Sequence, residues 1–161
     1  MLEFIIEEEL QPGKFDFIES YGLDLSPVFE NVLLGQEIHE RLKVGKVKPR
    51  GFPLDIAKNT LDSCFIKIGK RTELDEIGNL ISISKEDAIH EMEWGCYRVD
   101  DYMVFAKDSE ATSLKVGEIR QQLKLAKLKP TDYSEDLEKI LLHLEKLKSE
   151  KIKTRVLIYL T

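Results

Sequence analysis

The spacing of apolar and polar positions divides the chain into a series of elements. Leu2, Phe4 and Ile6 fall on one face of a strand expected over residues 2–8, with Ile5 breaking strict alternation. Gln11-Pro12-Gly13 has the composition of a turn, and Phe15, Phe17 and Tyr21 predict a second strand that Gly22 ends. Ser26-Pro27 suits a helix start, with serine at the N-cap and proline in the first turn. Val28, Val32, Ile38 and Leu42 then predict a drifting apolar stripe, interrupted at Gly35 and finished by Gly45. Pro49, Gly51 and Pro53 make residues 46–60 extended or turning. Alternation resumes at Asp62 to Ile68, which predicts a strand with Cys64, Ile66 and Ile68 on one face.

Ile81 and Ile83 alternate with Ser82 and Ser84 and predict a further strand. Ser84 and Asp87 then stand at capping spacing before a short helix that carries Ile89 and Met92 and stops at Gly95. Residues 96–99 and 102–106 predict a β-hairpin about Asp100-Asp101. Thr112 or Ser113 is expected to cap a helix whose buried face is Val116, Ile119, Leu123 and Ala126, stopped by Pro130. Ser134 opens the most regular stripe, Leu137, Ile140, Leu141, Leu144 and Leu147, with Glu135 and Asp136 in the first turn and Lys146 and Lys148 in the last. The uninterrupted apolar run from Thr154 to Leu160 predicts a strand covered on both faces. The fold class expected is α+β: a single domain over residues 1–161 with one mainly antiparallel sheet of about six or seven strands and three to four helices. A C-terminal helix followed by a buried terminal strand completes it.

Composition agrees with a packed globular domain. Of 161 residues 42% are hydrophobic, enough for a sizeable core without disulfide or metal staples. No apolar run reaches the ~18 residues of a membrane span. Met1 to Leu10 has no basic start and carries Glu7 to Glu9, so a cytoplasmic location with no membrane association is expected. Cys64 and Cys96 lack metal spacing and read as thiols in a reducing compartment.

Charge changes the picture more. The formal net charge of -6 argues against direct nucleic-acid binding, and it is distributed in blocks. Residues 1–40 carry ten acids against Lys14 alone, whereas residues 41–70 carry eight bases against Asp55 and Asp62. Residues 73–110 return to eleven acids against Lys85, Arg98 and Lys107, and residues 111–129 to five bases against Glu118. Blocks of opposite sign can pair with one another inside the fold, or an acidic block can present a docking surface to something basic.

Candidate chemistry is sparse. His39, His90 and His143 are not at helical metal spacing, and no cysteine pair completes a zinc site. Nucleophile elbow, phosphate-binding loop and dinucleotide fingerprint are all missing. Asp100-Asp101 with Lys107 invites comparison with nucleases that use two acids and a lysine, but Phe105 stands where the acid two positions before the lysine belongs, so the pair reads as a turn. No catalytic residue, metal ligand or cofactor is assigned.

These features point to a non-enzymatic acidic binding protein. Its expected concrete form is a bacterial immunity protein or antitoxin that covers the active site of a cognate basic toxin, a nuclease, the carboxylates standing in for phosphates. The expected partner-binding residues are Glu73, Asp75, Glu76, Glu91, Glu93, Asp100 and Asp101, with Trp94 and Tyr97 as aromatic anchors. A monomer or weak homodimer is expected. The alternative is a small nucleic-acid- or nucleotide-processing enzyme that uses His39 or His90 with the basic segment 41–50.

Overall fold

The structure, a computed structural model, describes residues 1–34, 53, 55–64, 66–68, 82–83, 97–99, 102–104 and 111–160. In chain order the strands are β1 (Leu2–Gln11), β2 (Lys14–Leu23), β3 (Ile66–Ile68), β4 (Ser82–Ile83), β5 (Tyr97–Val99), β6 (Tyr102–Val104), β7 (Ala111–Leu114) and β8 (Thr154–Leu160). The helices are α1 (Pro27–Leu34), α2 (Lys58–Cys64), α3 (Val116–Leu125) and α4 (Glu135–Ser149), with a short 3-10 turn at Pro130–Asp132.

The chain is α+β, but a single sheet of six or seven strands is not what it builds. The described strands form two four-stranded sheets, in the orders β2-β1-β8-β7 and β4-β3-β6-β5. The first is wholly antiparallel; the second includes one parallel pair, β3 with β4. The N-terminal hairpin and the last strand pair with each other, and β7 with the last strand, while β3 to β6 pair among themselves. The hairpin expected about Asp100-Asp101 is present as β5 and β6, with Val99 opposite Tyr102.

The turn between β1 and β2 uses Gly13 at φ 77, the left-handed conformation that glycine adopts without steric cost. Farther along, the register shifts between Ile6 and Glu7: Ile6 faces Glu19, but Glu7 faces Phe17, so Ile18 is a bulge. A bulge re-aims side chains. Here it sends Ile18 to the helix side of the sheet and Phe17 to the opposite side.

Helices α1, α3 and α4 cover one face of the first sheet. Leu2, Phe4 and Ile6 of β1, with Val156 and Ile158 of β8, meet Val32 to Leu34, Ile119, Leu123, Leu137, Leu141 and Leu144 there. The apolar stripe expected for α3 is buried as expected at Val116, Ile119, Leu123 and Ala126. Its start differs. Thr112 and Ser113 belong to β7, and Lys115 precedes the helix, its N–H donated to the Glu118 carboxylate at 3.0 Å. Ser134 caps α4 as its sequence indicated, accepting the Leu137 N–H at 3.2 Å.

Two further differences bear on function. Residues 58–60, expected to be extended or turning, and Asp62 to Cys64, expected to open a strand, form α2 instead, and the strand runs over Ile66–Ile68. Strand β1, expected to have one buried face, is covered on both sides along its middle: Ile5 and Glu7 are as buried as Phe4 and Ile6. The helix expected from Ser84 to Gly95 and the part of the first helix beyond Leu34 lie outside the described residues.

Candidate functional site

The main concentration of buried charge among the described residues sits on the second face of the first sheet. Glu7, on β1, is 0% exposed, and an ionised carboxylate there must be compensated. It is. One oxygen accepts the Ala57 N–H at 2.9 Å and the Thr60 hydroxyl at 2.7 Å. The other accepts from Nε and Nη2 of Arg155, both at 2.7 Å. Arg155 comes from β8, where register places it directly opposite Glu7.

The guanidinium is itself shared. Its Nη1 donates to Asp55 Oδ1 at 2.7 Å and its Nη2 to the Asp55 backbone carbonyl at 2.9 Å. Its carbon lies 3.3 Å from the centre of the Phe15 ring, a cation–π contact. The cluster therefore joins β1, β2, β8 and the segment leading into α2. Next to it Asn59 of α2 accepts the Phe17 N–H at 3.1 Å through Oδ1 and donates through Nδ2 to Asp16. A cavity of about 220 Å³ opens beside Arg155, lined by Glu9, Phe15, Lys115, Glu118 and Thr154 among others.

The chemistry open to this cluster is limited by its own satisfaction. Both Glu7 oxygens accept from two donors each, which leaves no free lone pair aimed at a substrate. Nearby Cys64 is half-buried. Burial raises its thiol to about 11, with the Glu3 and Glu7 charges adding to the rise and a Ser20 hydrogen bond opposing it. A thiol held protonated at neutral pH is a poor nucleophile. Tyr159 is likewise pushed upward by burial, then by Glu3 and Cys64. Tyr21, on the helix side, rises to about 12 through burial and its hydrogen bond to Glu19.

All three groups are favoured in their neutral, protonated forms by the fold. Their stabilisation is complete below the unfolded-state values, 9.0 for the thiol and 10.0 for the phenols, and is lost as pH climbs through the raised folded values. The melting temperature is therefore expected to decline from about pH 9 toward pH 12. Cys64→Ser should flatten the first part of that decline, and an equal slope in the variant would show that the thiol does not contribute.

Charged and polar contacts elsewhere tie further elements together. Arg120 of α3 holds Glu138 through two nitrogens, at 2.9 and 3.1 Å, and Glu145 through Nε at 2.6 Å. His143 of α4 lies 2.7 Å from Glu19 of β2. Glu30 lies 3.6 Å from the N-terminal ammonium. Part of the N-terminal acidic block is thus spent inside the fold, while Asp24 is exposed and Glu3, Glu8 and Glu9 are half-exposed.

Of the residues expected to bind a partner, Glu73, Asp75, Glu76, Glu91, Glu93, Trp94, Asp100 and Asp101 lie outside the described residues, and Tyr97 is placed by its backbone in β5, opposite Val104. His39, His90 and the basic segment 41–50 also lie outside them. Sequence reasoning missed the Glu7 cluster. The available signal was Arg155, a lone charge inside a run otherwise fit for burial on both faces. Among the described residues no group of three or more His, Cys, Asp or Glu is arranged to hold a metal, and no helix is long and apolar enough to cross a membrane. Comparison of the chain with protein-family models, with curated proteins and with solved structures finds no match.

Proposed function

We propose that this chain is a non-enzymatic binding protein whose surplus carboxylates recognise a basic protein partner. The concrete form proposed is a cytoplasmic bacterial immunity protein or antitoxin that occludes the nucleic-acid site of a cognate toxin. One observation supports this reading at the charged cluster. The buried Glu7 has every acceptor site taken by Ala57, Thr60 and Arg155, which makes it a structural joint and not a poised acid or base. The net charge of -6 supports the electrostatic part, since clustered carboxylates speed encounter with a basic surface and complement it once bound.

The test is co-purification of the intact chain from its own source, followed by binding kinetics with whatever basic protein is recovered. Recovery of a stoichiometric basic partner that is toxic when expressed alone is expected. Association should slow at least tenfold between low salt and about 0.5 M salt, as screening removes the steering. The triple reversal Glu73→Lys, Asp75→Lys, Glu76→Lys should give a comparable loss at low salt. Unaltered association after reversal would remove the acidic block 73–110 from the interface. Nucleotide or nucleic-acid turnover by the chain alone, abolished in His39→Ala or His90→Ala, would replace the binding reading with an enzymatic one.

A further inference from the structure

The two faces of the β2-β1-β8-β7 sheet are covered in different ways. On the helix side, eighteen buried apolar residues among those described form one cluster. On the second face the described residues form a cluster of six: Ile5, Ile56, Leu61, Ala111, Leu157 and Tyr159. Among the described residues the cover there is the segment 55–64, which contributes Ile56 and Leu61, with half-buried Cys64 against them. Among the described residues, polar bonds add to its attachment. Asp55 holds Arg155, Ala57 and Thr60 hold Glu7, and Asn59 holds Asp16 and the Phe17 N–H. Elements with few buried apolar contacts open at lower free energy than the body they rest on.

The Asn59 bond gives such an opening a consequence. Among the described strands β2 is at the edge of its sheet. An edge N–H is a template for pairing with another chain unless something blocks it. The Phe17 N–H is blocked by a side-chain amide from α2 where a neighbouring strand would otherwise be.

We propose that residues 55–64 form a strap that lifts from the second face as a unit while the helix-side core stays folded, so that α2 is a hinged cover over the β2 edge. When the strap is closed, Phe17 is capped and Ile5 and Leu157 are dry. Lifting it releases the edge and the apolar face in one step. Asp55, half-exposed at the outer end of the cluster, is the catch, because it is the strap's only charged grip on Arg155 among the described residues.

Native-state hydrogen exchange on the full chain tests this, with Asp55→Ala and Thr60→Val compared with the parent. In at least one variant the Phe17 amide and the amides of residues 61–64 should exchange tenfold or more faster, and by the same factor. The amides of Ile119, Leu123, Leu141 and Leu144 should keep their parent rates. Acceleration in neither variant would overturn the proposal. So would uniform acceleration of strap and helices, or a Phe17 amide that changes independently of residues 61–64.

Discussion

Replacing Arg155 with methionine is expected to cost roughly 3–5 kcal/mol of folding stability, the range found when one partner of a buried ion pair is removed. The loss comes mainly from what is left behind. Glu7 is 0% exposed, and without the guanidinium its charge keeps only the Ala57 N–H and the Thr60 hydroxyl. Two neutral donors do not replace a cation in a dry site. Lifting of the strap would hydrate Glu7 at the expense of exposing Ile56, Leu61 and Leu157, which sets a ceiling on the loss. A value near the lower end, with residues 55–64 open, is therefore the expected form. The double variant Glu7→Leu, Arg155→Met should recover part of it, since apolar replacement of both partners removes the stranded charge. Recovery should be incomplete, because the Ala57 N–H and the Thr60 hydroxyl then lack an acceptor, at about 1–3 kcal/mol for each such orphan. Urea unfolding followed by circular dichroism measures all three proteins. A single variant within about 1 kcal/mol of the parent would mean that Glu7 is hydrated and that the cluster does not hold the second face.

The same cluster explains which parts of the fold could be read from sequence. Helix α4 was legible because its determinants are local: a serine cap, acids in the first turn and leucines at helical spacing. The two-residue turn at Pro12-Gly13 was legible for the same reason. Helix α2 was not. Asn59, Thr60, Asp62 and Ser63 are indifferent or poor helix formers, and the neighbouring Cys64, Ile66 and Ile68 alternate like a strand. The helix is anchored by Glu7, fifty residues or more away in sequence, and Asn59 ties it to β2 at a similar remove. Tertiary partners of that kind leave no periodic trace.

Glu7 was hidden by its neighbours. It is the first of three consecutive glutamates, and such a run reads as a solvated edge. Glu8 and Glu9 are indeed half-exposed, while Glu7 points into the second face because strand side chains alternate. The N-terminal block thus mixes one fold-building carboxylate with surface ones, and its count of acids overstates the charge free for recognition. The split of the strands into two sheets was hidden differently. Periodicity identifies strands but carries no statement of partner, and the decisive pairing here joins residues 2–8 to residues 154–160.

That pairing makes the C-terminus the second point of large expected effect: deletion of residues 156–161 should abolish folding. Strand β8 lies between β1 and β7, so its loss severs the sheet and leaves the described edge of β7 without its ladder. Val156 and Ile158 belong to the helix-side cluster and Leu157 to the other, all three 0% exposed. At about 1.5–3 kcal/mol for each large apolar side chain fully buried, those three alone amount to roughly 5–9 kcal/mol. A domain of this kind has about 5–15 kcal/mol in total. The lost hydrogen bonds and the newly exposed surfaces of Phe4, Ile6 and Ile5 act in the same direction. The truncated chain is expected to be insoluble, or soluble without a cooperative melting transition in circular dichroism. Helix α4 should not survive in it, because the face formed by Leu137, Leu141 and Leu144 would lose the sheet against which it is buried. A soluble truncation that melts at the parent temperature would instead show that β1 and β7 are held without β8, and the strand order β2-β1-β8-β7 would have to be abandoned.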